Sequence, residues 1–301
     1  VERTLRGLGG SALIIEDTYA EAFEGYYSRI LITALSRKWA ENAAVEAAGY
    51  ATSLIGCSAE AGIEGHLDGG QTPDGRPGVV VQIWTSRKKM MRELLGRIGQ
   101  CILPAPTTAV WNHCGEGEAM DVGHKMRYYG DGYEERRDVG GRKMVAIPVM
   151  MGEFLIEAEL KISKGVMGGN FLILSSSQEA ALKAAEEALS AVRAVGGVIT
   201  PFPGGVCGAG SKVGSRRYKF MHATTNEKYC PTISSVVEDS RVRGVEAVAE
   251  IVINGITEEK VREAMSAGIK ASRGCEGVLR ISAGNYGGNL GKIHIRLRDL
   301  V

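Results

Sequence analysis

No two cysteines in this 301-residue chain stand at C-x-x-C spacing, although six are present: Cys57, Cys101, Cys114, Cys207, Cys230 and Cys275. That absence leaves no zinc site and no disulfide framework, so all six are expected as reduced core or loop thiols. Histidine is scarce, and His66, His113, His124, His222 and His294 show no metal-ligand spacing, which leaves a metal hydrolase unsupported. His113-Cys114 forms a dyad on paper only, in a stretch that reads as a surface loop. Net charge is nearly absent as well. The 36 basic and 35 acidic residues leave +1, which argues against nucleic acid or a membrane surface as the main partner. Any charged ligand must then be met by a local cluster. No apolar run approaches a membrane span, and Val1 to Gly10 mixes charge with glycine where a secretory signal would be apolar. A cytoplasmic location is expected.

Glycine, by contrast, is abundant at 41 residues, which implies many turns and several close backbone approaches. The chain also repeats itself. Arg29 to Thr33 reads as a strand, Ser36 as a helix cap, Trp39, Ala40, Ala43, Ala44 and Ala47 as an apolar stripe, and Ala51 to Gly56 as a second strand before the loop Cys57 to Gly62. The order returns later. Asn170 to Leu174 reads as a strand, Ser176-Ser177-Gln178-Glu179 as a capping box, and Ala181, Leu182, Ala185, Leu189 and Val192 as a helix stripe; Gly197 to Thr200 and the loop Pro201 to Gly205 follow. The second halves match too: strand Val79 to Thr85 precedes a helix with Met91, Leu94, Leu95 and Ile98 on one face, and Glu250 to Gly255 precedes one bearing Val261, Ala264 and Met265. Each half reads β-α-β twice. The expected fold is therefore α+β, a duplicated ferredoxin-like (split β-α-β) sandwich of two lobes, residues 1–153 and 154–301. Extra hairpins are expected between Lys125 and Glu157 from Gly130-Asp131-Gly132 and Val139-Gly140-Gly141.

The most strand-like run is Ala247 to Gly255, apolar and β-branched with one carboxylate inside it. A period of two puts Ala247, Ala249, Ile251 and Ile253 on one face and Val248, Glu250, Val252 and Asn254 on the other. If Val248 and Val252 are buried, Glu250 is held between them and its charged form is disfavoured. The alternative is a solvent-facing Glu on an edge strand.

Seven separated strings carry a family resemblance: Glu16 to Phe23, Ala59 to Ile63, Thr72 to Gly78, Pro201 to Gly205, Ser211 to Ser215, Glu250 to Gly255 and Ile281 to Gly288. In this order, over about Leu13 to Leu300, they resemble formylmethanofuran:tetrahydromethanopterin formyltransferases, including the formyltransferase subunit of the bacterial formyltransferase/hydrolase complex. The resemblance implies an enzyme of one-carbon metabolism without a prosthetic group, with methanofuran and tetrahydromethanopterin as coenzyme substrates. It implies a homotetramer, a dimer of dimers, with further subunits of a formyltransferase/hydrolase complex as possible partners. Its catalytic glutamate falls on Glu250, as general acid to the departing amine. Fold alone also allows a non-catalytic ligand-binding or assembly subunit.

Candidate substrate contacts follow the same strings. Backbone N–H groups of Pro203-Gly204-Gly205 and Ala283-Gly284-Asn285, and the Asn285 side chain, are candidates to face an oxyanion, against the alternative of ordinary tight turns. The basic run holding Ser211, Lys212, Arg216, Arg217 and Lys219 suits acidic substrate tails, or is a solvated hairpin. Arg76 is a comparable turn residue, or a partner for Asp74. Gln178 is a substrate contact or a helix cap, and Glu60 binds a pterin or holds a turn. Ala209 stands where the family pattern has serine, with Ser211 retained. Val1 to Ser11 reads as a loose extension.

Overall fold

A computed structural model describes residues 3–6 and 12–301 and shows a mixed α and β fold. The expected loose tail, Val1 to Ser11, lies largely outside the described residues. Within it, β1 (Arg3–Arg6) pairs antiparallel with β2 (Ala12–Ile15). The chain then makes two compact units: Gly25–Thr52 with Ser58–Gly165, and Val1–Glu24 with Ser53–Cys57 and Val166–Val301.

The unit built on Gly25–Thr52 and Ser58–Gly165 takes most of β3 (Tyr19–Thr33), then α1 (Arg37–Ala48), β4 (Glu60–Leu67), β5 (Gly78–Thr85), α2 (Arg87–Arg97) and β6 (Ala109–Asn112). Its strands lie β4-β5-β3-β6, antiparallel throughout. The helices cover the face carrying Ile30, Ile32, Val79, Val81 and Ile83, which they meet with Ala40, Ala44, Met90 and Leu94. Leu31, Val80, Ala109 and Trp111 make a second apolar cluster on the opposite face. The extra segment brings β7 (Glu118–Met120), the short α3 (Val122–Met126), and the antiparallel run β8 (Glu135–Val139), β9 (Arg142–Val149) and β10 (Gly152–Glu157), with β10 parallel to β6. The Gly140-Gly141 turn is a hairpin as expected, whereas Gly130-Asp131-Gly132 closes a 3-10 turn with Asp131 in the left-handed region.

The second unit takes β11 (Leu160–Ser175) from Val166 onward, α4 (Gln178–Arg193), β12 (Val198–Ile199), the hairpin strands β13 (Lys212–Val213) and β14 (Ala223–Thr224), β15 (Ala247–Gly255), α5 (Glu258–Ser272), β16 (Val278–Ser282) and β17 (Ile293–Arg296). Its strands lie β12-β15-β11-β16, again antiparallel, so the order of the first unit recurs. Phe171, Ile173, Ile251, Ile253 and Ile281 face α4 and α5; Leu172, Leu174 and Val248 face the other way, against Val242 and Val245. Ser177 and Thr257 cap the two helices through their hydroxyls, which accept from the N–H groups of Ala180 and Lys260.

Several sequence expectations need correction. Ala51 to Gly56 is irregular rather than a strand: Tyr50 and Gly56 take positive φ, and the Ser53 N–H donates to Pro201. The strand begins only at Glu60, inside the expected loop, because glycines interrupt its alternation and hide it. Trp39 and Leu182 are exposed rather than buried, and the buried faces of α1 and α4 are carried by Ala40, Ala43, Ala44 and Ala47 and by Ala181, Ala184, Ala185, Ala188, Leu189 and Val192. Cys114 is buried rather than in an exposed loop.

Candidate active site

Glu250 sits in the interior of its sheet, not on an edge. Leu172 of β11 faces it on one side. On the other, Cys207 forms an isolated antiparallel bridge with it: the Cys207 N–H donates to the Glu250 carbonyl at 2.8 Å and the Glu250 N–H to the Cys207 carbonyl at 3.0 Å. The alternation read from the sequence holds. Ala249, Ile251 and Ile253 enter the helix-covered core, while Glu250 shares the opposite face with Val248 and the buried Val252. The residue keeps partial exposure, yet protein encloses its carboxyl group, and burial pushes that group above the ordinary carboxylate range. A hydrogen bond from the Cys207 side chain opposes the shift without cancelling it.

The turn Pro203–Gly205 is what delivers Cys207 to this place. Gly204 and Gly205 both take positive φ, and a Cβ on Gly205 would lie 2.6 Å from Leu189 and 2.7 Å from Thr200, so only glycine fits. Arg193 of α4 donates to the Gly204 carbonyl at 2.9 Å, and the Gly205 N–H donates to Phe202 at 2.8 Å. Around the carboxyl stand two tyrosines. Burial, then the neighbouring carboxylates, raises Tyr286, whose hydroxyl donates to the Ser211 carbonyl at 3.2 Å. Burial raises Tyr229 too, with Glu16 and Glu250 adding to it.

The loop after β16 is held from within. Asn170, at 8% exposure, takes the Gly284 N–H on Oδ1 at 2.6 Å and donates to the Gly284 carbonyl at 3.1 Å. The Asn285 amide donates to Thr18 Oγ1 at 3.1 Å and to the Tyr19 carbonyl at 3.3 Å. The N–H groups of Gly205 and Gly284 and the Asn285 amide are thus engaged within the protein. Glu21, only 2% exposed, binds the rest of the loop by accepting from the N–H groups of Tyr286 (2.7 Å), Gly288 (3.0 Å), Leu290 and Gly291 (2.8 Å). Burial by itself would raise this carboxyl, but the four donors outweigh it and hold the group below its ordinary range. Sequence reading overlooked Glu21, Asn170, Tyr229 and Tyr286, and took Cys207 only as a reduced core or loop thiol, which it is. Glu21 and Tyr286 fall within the strings that carried the resemblance, which was the signal available.

The remaining candidates are distributed. Lys212 pairs with Glu227, so part of the basic run is already neutralised. Arg216, Arg217 and Lys219 are exposed on the hairpin joining β13 to β14, with Arg217 over the Tyr218 ring. Gln178 is exposed on the first turn of α4, where Ser177 supplies the cap. In the other unit, Glu60 opens β4 opposite Trp84. Arg76 pairs with Asp74 at 2.6 Å and donates to the Thr107 carbonyl at 2.6 Å. Among the described residues, no group of three or more His, Cys, Asp or Glu side chains could hold a metal ion, and no helix is long and apolar enough to cross a membrane.

Residues 10–149 match the family described as formylmethanofuran-tetrahydromethanopterin formyltransferase, and residues 152–300 match its proximal lobe. The chain belongs to this family. A formylmethanofuran–tetrahydromethanopterin formyltransferase of Methanothermobacter thermautotrophicus is 54% identical over 289 residues, covering 95% of this chain and 97% of its own. The enzyme of the same name from Methanocaldococcus jannaschii is 51% identical over 296 residues, covering 96% and 98%. Among solved structures, the formyltransferase from Methanosarcina barkeri superposes with a TM-score of 0.90 at 50% identity, covering 95% of this chain and 98% of its own. The formyltransferase/hydrolase complex of Methylorubrum extorquens with methylofuran contains a chain that superposes at 0.92 with 41% identity, covering 100% and 99%.

Glu21 gives a pH prediction. Its folded carboxyl lies below the unfolded value, so its stabilisation is present above the unfolded value and is lost as pH falls through the folded one. Glu21→Gln should lose about 1.5–3 kcal/mol at neutral pH, the worth of a hydrogen bond to a charged group. Denaturant titrations from neutral to acid pH should converge for the two proteins at the acid end; a constant gap would disprove the role of the charge.

Proposed function

We propose that this chain moves a formyl group reversibly between formylmethanofuran and tetrahydromethanopterin by direct amine attack in a ternary complex, with Glu250 as general acid. Relatives about half identical over nearly their whole length bear that activity in their names, which supports an enzyme over a non-catalytic assembly subunit. The observation that carries the mechanism is the Glu250 carboxyl: enclosed, raised above its ordinary range by burial, and lying in the string on which the resemblance places a catalytic glutamate.

The pterin nitrogen attacks the formyl carbon, the carbonyl electrons move to oxygen, and the oxyanion then expels the methanofuran nitrogen. An amine leaves far more readily once protonated. A carboxyl whose proton is held more firmly by burial can supply it as the C–N bond breaks, and the proton shed by the attacking nitrogen restores the acid. In the reverse direction the roles exchange. Pro203, Gly204, Gly205, Ser211, Gln178 and Asn285 are read as the shell that shapes and places the substrates. No prosthetic group is required, because both one-carbon carriers are substrates.

The recurring strand order, β4-β5-β3-β6 and β12-β15-β11-β16, supports a duplicated ferredoxin-like sandwich. The two family matches meet between residues 149 and 152, which supports a lobe boundary near Glu153. A cytoplasmic homotetramer is the assembly that the resemblance implies, and the likeness to a chain of the Methylorubrum extorquens complex supports further subunits as an alternative setting. Light scattering of the purified protein at assay concentration should report a tetramer. A fully active monomer would disprove this assembly.

Glu250→Gln keeps shape and hydrogen bonding but removes the transferable proton. With formylmethanofuran and tetrahydromethanopterin followed by pterin absorbance, kcat should fall about 100-fold or more while KM changes little. Wild-type kcat in this variant would end the general-acid reading. Arg216 and Arg217, exposed and free of the carboxylate that neutralises Lys212, are read as the holders of acidic substrate tails. Replacing both by Ala should raise KM at nearly constant kcat and weaken the salt dependence of KM; a loss confined to kcat would contradict that assignment.

A further inference from the structure

A general acid must present its proton on a defined oxygen. Nothing in a carboxyl group itself decides which of the two that is. The bridge between Cys207 and Glu250 fixes their backbones at 2.8 and 3.0 Å, on neighbouring lines of one sheet, so their side chains emerge next to each other. Cys207 is 4% exposed and its sulfur is itself held: the Gly210 N–H donates to Sγ at 3.3 Å. A sulfur that accepts a hydrogen bond is a better donor through its own S–H. The Glu250 carboxyl is an acceptor for that S–H.

We infer that Cys207 is a positioning residue for Glu250, its thiol donating to one carboxyl oxygen so that the other carries the proton toward the substrate. The inference rests on Glu250 as the general acid. The geometry gives the thiol no other task visible here. It is not in a disulfide, and the Gly-rich turn Pro203–Gly205 that brings it to Glu250 is built at a cost in backbone freedom. Burial, then the charge of Glu250, pushes the thiol up from its ordinary value, so it remains a donor at neutral pH. The other titratable groups that feel the charge of Glu250 are Tyr286 and Tyr229, both held protonated by burial. Neither tyrosine changes charge together with the thiol near neutral pH.

The test uses the pH profile of kcat in the direction that consumes formylmethanofuran, where activity declines on the alkaline side as Glu250 loses its proton. The thiol hydrogen bond favours the ionised carboxylate, so its removal raises the Glu250 pKa further. Cys207→Ala should therefore move the alkaline limb to higher pH and, with the proton no longer confined to one oxygen, lower the plateau kcat about two- to tenfold, with KM little changed. Cys207→Ser keeps a donor at the same place and should return both limb and plateau toward wild type. A Cys207→Ala profile that superimposes on wild type overturns the inference. So does equal loss in the Ala and Ser variants with kcat and KM changing together, since that is the mark of a packing role. Glu250→Gln in the same assay separates the two levels: full activity there removes the general acid itself, whereas an inactive Gln variant beside an unmoved Cys207→Ala limb removes only the role of Cys207.

Discussion

Burying a carboxyl group in a sheet is unfavourable, and the arrangement of the second unit follows from how that burial is managed at Glu250. The role proposed for this group asks that it lose enough water to favour its neutral form, yet stay within reach of a substrate. Pairing β15 on both sides does the first. Leu172 stands across one line of hydrogen bonds and Cys207 across the other, so the backbone around Glu250 has no free edge. The second partner is not a strand but a single bridge, delivered by a turn that only glycine can make and anchored by Arg193.

Two enclosed carboxylates in this unit are treated in opposite ways. Glu21 receives four backbone N–H groups and is held ionised, while Glu250 receives one weak donor and is pushed toward its neutral form. Their jobs diverge accordingly. The fixed negative charge of Glu21 ties down the loop from Tyr286 to Gly291, and that loop presents the Tyr286 ring near Glu250. Environments that push two carboxyls apart in pKa separate an architectural role from a proton-carrying one.

How much of this was legible in the sequence depended on whether the signal was local. The faces of β15 came out of simple alternation, because Ile251, Ile253 and Val252 are buried on both sides in strict period. The cores of α4 and α5 came out of helical spacing, with Leu182 the exception. What failed was pairing at long range. Neither the partnership of Cys207 with Glu250 nor that of Glu21 with a loop some 265 residues away leaves a mark on either residue's neighbours. β4 was missed because Gly62 and Gly65 dilute its pattern and a bulge shifts its register between Ile63 and Gly65. The basic run was read as uniformly available, since a sequence does not show that Glu227 lies across the hairpin from Lys212.

The recurrence of the fold inside the chain offers its own control on the role of Glu250. In the second unit the helix-facing residues of β11 are Phe171 and Ile173, and the residue between them, Leu172, opposes Glu250. In the first unit the helix-facing residues of β3 are Ile30 and Ile32, and the residue between them, Leu31, opposes Val80. By register, then, Val80 occupies the place of Glu250. It is 3% exposed and packs with Leu31, Ala109 and Trp111 in an ordinary apolar cluster. The strand order accepts a valine there and buries it, which is the stabilising choice for such a position. A glutamate in its place contributes nothing to the core and is disfavoured there as an anion. The strand order therefore does not require the carboxyl at residue 250, and its presence there, where the first unit has valine, agrees with the proton-carrying role proposed for it.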